Sequence, residues 1–200
     1  EEHRVNLEKV ADLSFRYSWR NTGATVYKLI NNGVNYYFVE NHYYFGRGRL
    51  YGEFDDAERF AFFSTAVIEF MIETGNIPDI LHANDWQTAL TIIYLKTEYA
   101  HIASLRGVKT VYTIHNIEYQ GKFDPYILGD VFALDRKYYG IVEFDNCINL
   151  MSFENFFNIG FFGKRYLNAF RHGINIFQNF IIYVLLNGSK LFIAVFIRAA

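Results

Sequence analysis

Two β-branched and aromatic runs, Ala24 to Ile30 and Val34 to Glu40, flank Asn31-Asn32-Gly33. Asn and Gly tolerate the positive φ of a tight turn, so this pattern predicts a β-hairpin. Leu13 to Trp19 offers a further strand upstream, and Gly46 to Gly52 predicts a loop. The period then changes. Ala57, Phe60, Ala61, Ala66, Val67, Phe70 and Met71 recur at helical spacing. Asp55, with Glu58 three residues on, predicts a capping-box-like start to that helix, and Gly75 and Pro78 predict its end.

Beyond Pro78 the chain alternates. Asp79 to His82 reads as a strand, Trp86 to about Tyr99 as a helix capped by Asn84 or Asp85, and Lys109 to Ile114 as a second strand. Such a βαβ unit makes the two strands parallel, with their carboxyl ends on one edge of the sheet. Ligands of α/β sheets bind beyond that edge. Asp85 and His115 lie just past the two ends, so the pattern predicts that they share a cleft. Lys122-Phe-Asp-Pro125 leads into shorter helical pieces, and Asn146 to Met151 reads as a buried helix end. The predicted class is α/β: a partial Rossmann-like parallel sheet with a β-hairpin.

Composition narrows the function classes. The 200 residues suit one sizeable core. Nineteen Lys and Arg against 21 Asp and Glu leave a net charge of −2, which argues against general nucleic-acid binding. The single cysteine, Cys147, excludes an internal disulfide framework and fits a reducing compartment. The first residues, Glu-Glu-His-Arg, lack the apolar stretch of a signal peptide and an initiator Met, as expected of a piece of a longer chain or a processed one.

Residues 152–200 differ in kind. Glu154 is their one acidic residue, against Lys164, Arg165, Arg171, Lys190 and Arg198. Their apolar runs, Phe180 to Leu186 and Leu191 to Ile197, fall short of the roughly 20 residues a membrane-spanning helix needs. The expected division is a catalytic-type domain over 1–151 and a divergent tail over 152–200.

The residues from about Val10 to Met151 also carry a family resemblance. His82-Ala-Asn-Asp-Trp-Gln-Thr-Ala-Leu90 and Tyr112-Thr-Ile-His-Asn-Ile-Glu-Tyr-Gln-Gly121, preceded by Leu50-Tyr-Gly52 and Asp56-Ala-Glu-Arg-Phe60, resemble the bacterial glycogen synthases and plant starch synthases. The resemblance implies the N-terminal half of a two-domain GT-B glycosyltransferase. It implies retaining transfer of glucose from ADP-glucose to the non-reducing end of an α-1,4-glucan, with no metal and no cofactor. It places the protein in the bacterial cytoplasm, or in a plastid if the source is a plant.

By motif position the resemblance makes Asp85 and His115 catalytic-cleft residues and puts Tyr119, Gln120 and Gly121 close to the sugar. His82, Asn84, Asn116 and Tyr51 join them as candidate substrate contacts. Blander readings stand beside these. Asp85 suits a helix cap, His82 a group packed beneath the cleft, Asn84 a turn, Gly121 backbone room, and Tyr51 partly buried packing. A neutral His115 is expected to donate a hydrogen bond to a sugar hydroxyl. Arg47 and Arg49 read as a solvated loop. Glu118 is not the donor-side carboxylate, which the family carries on its second domain. His82 and Asp85 lack a third partner at metal-ligand spacing.

The sequence also departs from the family. The Lys-x-Gly-Gly-Leu loop is missing, as is the second domain with its diphosphate-binding cations. After Met151 the family's small-residue segment and Thr-Val-Ser strand give way to Ser152-Phe-Glu-Asn-Phe-Phe. The tail therefore reads as a frame-shifted or foreign extension. Three functions follow: a synthase fragment inactive by itself, a carbohydrate-binding or regulatory module, or a non-functional product of a shifted frame. Translating the DNA that encodes residues 152–200 in its other frames should restore a family-like continuation. Failure in every frame would contradict the frame-shift reading.

Overall fold

The structure, a computed structural model, describes residues 7–31, 34–155 and 160–161. Three antiparallel strands come first: β1 (Glu8–Tyr17), β2 (Arg20–Asn31) and β3 (Val34–Glu40), in the order β1-β2-β3. Asn31 pairs with Val34, so the predicted hairpin forms with a two-residue connection. Its turn residues, Asn32 and Gly33, lie outside the described residues. β1 reaches further upstream than the Leu13–Trp19 run and carries an irregularity between Lys9 and Ala11. Leu13, Phe15, Tyr17, Ala24, Val26, Tyr37 and Val39 alternate onto one buried face.

A short helix α1 (His42–Phe45) follows, then a loop and the long helix α2 (Asp56–Thr74). α2 is buried nearly all round because it packs on the β1-β2-β3 sheet and on a second helix. Phe62 lies at the centre of that packing, stacked 4.3 Å from Tyr44 and 5.6 Å from Phe15. Gly75 ends α2 in the left-handed conformation, φ 67°, where a side chain would be strained.

The predicted start of α2 is corrected. The Asp55 side chain makes no capping bond. It pairs with Arg47 at 2.7 Å, so Arg47 is tied down rather than solvated. Glu58 does not reach back to the helix start either. It takes the Arg20 guanidinium through both oxygens and accepts from the Tyr44 hydroxyl at 2.8 Å. Tertiary partners have outcompeted the local cap.

β4 (Ile80–Asn84), α3 (Asp85–Lys96) and β5 (Lys109–Thr113) form the predicted βαβ unit. β4 and β5 are parallel, with Asn84 opposite Thr113. The remaining elements are β6 (Lys122–Phe123), α4 (Ile127–Asp130), α5 (Tyr139–Val142), β7 (Glu143–Phe144), β8 (Cys147–Asn149) and β9 (Gly160–Phe161). Cys147 to Asn149, expected at a helix end, is instead the middle strand of a small β6-β8-β7 sheet. Packing continues past Met151. Phe153 is fully buried against Tyr112, ring centroids 4.9 Å apart, and β9 pairs in parallel with β5. The apolar runs within 180–197 lie outside the described residues.

Phe62→Ala should cost about 3–5 kcal/mol, because it removes a fully buried ring from a stack that cannot collapse. Ile30→Ala, on a side chain 61% exposed, should change stability by less than about 0.5 kcal/mol. Urea unfolding of both variants measures the contrast; equal losses would contradict this packing.

Candidate functional site

The site is built where β4 and β5 end. Their parallel register brings Asn84 and Thr113 level, so the next residues of each chain, Asp85 on one side and His115-Asn116 on the other, emerge at the same edge. Asp85 takes a left-handed backbone conformation, φ 56°. That conformation costs a non-glycine residue on the order of 1 kcal/mol, and Asp tolerates it better than most. It turns the carboxylate across the edge. Asp85 Oδ1 accepts the backbone N–H of His115 at 2.6 Å and that of Asn116 at 3.3 Å. Hydrogen bonds to a charged acceptor contribute roughly 1.5–3 kcal/mol each, enough to offset the strain.

Asp85 is thus a clamp rather than a helix cap. Neither it nor Asn84 caps α3 with its side chain, although Asn84 occupies the N-cap position. Asn84 has a second task. Its Oδ1 lies 2.9 Å from His115 Nε2. An amide oxygen only accepts, so in this pairing Nε2 donates. Thr88 closes the corner, its hydroxyl accepting from Asn84 N and donating to Asn84 O, both at 2.6 Å.

His82 lies one layer below. Its Nε2 is 2.8 Å from Thr113 Oγ1, tying β4 to β5 side chain to side chain. Burial, with a smaller effect of neighbouring His115, pushes its imidazole below the ordinary histidine range. With that bond to Thr113 the ring reads as a strand tie beneath the cleft, the blander of its two roles.

The Tyr119-Gln120-Gly121 turn forms the far side. Tyr119 is 61% exposed at the rim. Gln120 Oε1 accepts from Asn149 Nδ2 at 2.8 Å, and Gly121 O accepts from Leu150 N, so β8 and its flank hold the turn. Gly121 has φ 60°, and a Cβ there would come within 2.8 Å of the Trp86 ring. Trp86, directly after Asp85, is wedged between Phe60 at 5.0 Å and Phe123 at 5.6 Å and cannot yield. Backbone room is what Gly121 supplies, as predicted.

Tyr51 is 57% exposed in the loop before α2. Sequence reasoning missed Arg59, although it quoted the motif containing it. Arg59 is the largest fully buried side chain among the described residues, and a helical pattern gives no signal that a charged position faces inward. Among the described residues no group of three or more His, Cys, Asp or Glu is placed to hold a metal, and no helix is long and apolar enough to cross a membrane.

A family model for the starch synthase catalytic domain matches residues 1–156. A glycogen synthase of Ligilactobacillus salivarius is 44% identical over 153 residues, 76% of this chain and 32% of that protein. One of Streptococcus mutans is 42% identical over 149 residues, 72% of this chain and 31% of that protein. The chain therefore spans about a third of the length of the curated relatives it matches. Among solved structures, the catalytic domain of Starch Synthase IV from Arabidopsis thaliana, bound to ADP and acarbose, superposes with a TM-score of 0.64 at 26% identity. That match covers 73% of this chain and 31% of the other.

Gly121→Ala should cost about 1–3 kcal/mol through its left-handed backbone and the Trp86 contact, and should displace the 119–121 turn. Thermal unfolding together with a changed Trp emission spectrum checks this. A variant as stable as the parent, with an unchanged spectrum, would contradict the packing described.

Proposed function

The chain belongs to the family of starch synthase catalytic domains, and from that premise we propose that it carries one wall of the cleft in which a GT-B glycosyltransferase moves glucose from ADP-glucose to the non-reducing end of an α-1,4-glucan. The Asp85–His115 cluster carries this reading. Its polar groups stand at the carboxyl edge of a parallel sheet, where such folds take ligands. They are bonded to one another across the two strand ends.

Each group then has a task suited to sugar hydroxyls. Asp85 Oδ1 is committed to the His115 and Asn116 amides, and Oδ2 is directed to a glucosyl hydroxyl. His115, oriented by its bond to Asn84, offers its imidazole to a sugar hydroxyl. Asn116 and Gln120 are amides at the same edge, and Tyr119 and Tyr51 offer exposed rings for the apolar faces of glucose units. His82 supports the floor without touching substrate.

Transfer breaks the bond between the anomeric carbon and the diphosphate oxygen and forms one to the glucan hydroxyl. The departing diphosphate concentrates negative charge, and stabilising it is a large part of the barrier. The hydrogen bonds of the Asp85–His115 cluster include no Lys or Arg. On this reading the chain binds sugar at one wall and does not turn it over by itself.

Two measurements check this together. Maltoheptaose should bind the chain, with affinity reduced at least about tenfold by Asp85→Ala, a loss of roughly 1.4 kcal/mol. Incubation with ADP-glucose and glycogen should release no ADP above background. ADP release that disappears in Asp85→Ala or His115→Ala would overturn the inactive-wall reading, and absent glucan binding would overturn the wall itself.

A further inference from the structure

We infer that Arg59 is a positioning residue, whose buried guanidinium fixes the 46–52 loop and thereby holds the exposed ring of Tyr51 on the rim of the cleft. The inference rests on the function proposed above and extends it to a residue that touches no substrate.

Arg59 is wholly shielded from solvent, and each arm of its fork is used. Nε donates to Tyr44 O at 2.7 Å, in α1 just before the loop. Nη1 donates to the Asp56 carboxylate. Nη2 donates to Leu50 O at 3.2 Å and more weakly to Arg49 O at 3.5 Å, within the loop. The other Asp56 oxygen accepts the backbone N–H of Gly52, at its end. One ion pair thus holds main-chain atoms of the loop on either side of Tyr51 and ties them to α1, which precedes the loop. Arg47 adds an outer strut, bonding Tyr43 O and the Asp55 carboxylate.

A buried ion pair is a weak source of stability, because removing both charges from water costs about as much as their attraction returns. Its geometric effect is not weak. Only a planar five-donor fork can meet a carboxylate and separated carbonyls at once; an ammonium cannot. What the pair provides here is a defined loop conformation in a segment with no strand or helix of its own.

The loop is linked to the clamp through α2. Phe60, next to Arg59 on α2, meets Trp86 edge-on at 5.0 Å, and Trp86 directly follows Asp85. The N-terminal parts of α2 and α3 therefore abut, so the loop that Arg59 and Asp56 gather leads into the helix that packs on the residue after the clamp. Tyr51, 57% exposed between two anchored backbone positions, is its one aromatic ring, suited to stack on a glucose unit of the acceptor.

The test uses the full chain and two routes to the same staple. Arg59→Lys keeps a charge beside Asp56 and loses the fork. Asp56→Asn keeps the size of the side chain but removes the charge that Arg59 meets and leaves one oxygen to serve the Arg59 and Gly52 donors. In both, tryptic cleavage after Arg47 and Arg49 should quicken by about tenfold or more, as expected when charge-assisted bonds are lost. Cleavage after the exposed Arg106 and Arg136 should not change. Maltoheptaose affinity should fall several-fold in Arg59→Lys, and the double variant with Tyr51→Ala should bind no more weakly than Tyr51→Ala alone. Unchanged cleavage after Arg47 and Arg49 in folded variants would overturn the inference, as would full additivity of the two affinity losses. Absence of maltoheptaose binding in the parent chain would instead overturn the function proposed above, with the tryptic rates still deciding the role of Arg59.

Discussion

Parallel strands end in carbonyl and amide groups that no longer have ladder partners, and a cleft can be built there only if something holds the two ends in register. Asp85 does so by turning left-handed and accepting two backbone N–H groups from the end of the neighbouring strand. The other residues at that edge depend on the clamp. With the 115–116 backbone fixed, the His115 ring reaches Asn84, and that contact orients the imidazole. With Asp85 fixed, Trp86 is fixed, and its indole face sets how closely the Gly121 turn can approach. The strain at one residue is small beside the two charge-assisted bonds that it makes possible.

The hydrophobic architecture serves that edge. α2 lies between the antiparallel meander and α3, so its aromatic residues join three layers, and Phe60 carries the packing to Trp86. A chain of rings, Phe60, Trp86, Phe123 and Phe132, then runs beneath the site. Interiors packed this way transmit displacement instead of absorbing it. Side chains well away from any sugar therefore decide whether the polar edge keeps its geometry.

Much of this was legible in the sequence. The βαβ reading followed from two short apolar runs flanking a helical pattern, and the approach of Asp85 to His115 followed from parallel pairing alone. Gly75 and Gly121 were legible because a helix end and a close backbone approach each favour glycine. What was not legible was which tertiary partner a side chain prefers to its local one. Asp55 and Glu58 have the types of a capping box, yet Arg47, Arg20 and Tyr44 claim them. Asp85 has the type and place of a cap, yet its carboxylate crosses to β5. Cys147 to Asn149 is apolar enough for either element, and pairing with β6 and β7 made it a strand. Arg59 faces inward because loop carbonyls await it, a demand that appears only when the loop is folded.

The account turns on whether the Asp85 carboxylate organises the end of β5. Amide hydrogen exchange at His115 and Asn116 measures that directly, by comparing the parent chain with Asp85→Ala. The clamp predicts two slowed amides in the parent and a selective release of both in the variant, with exchange along β4 and the rest of β5 unchanged. Equal exchange at these two amides in parent and variant would contradict it.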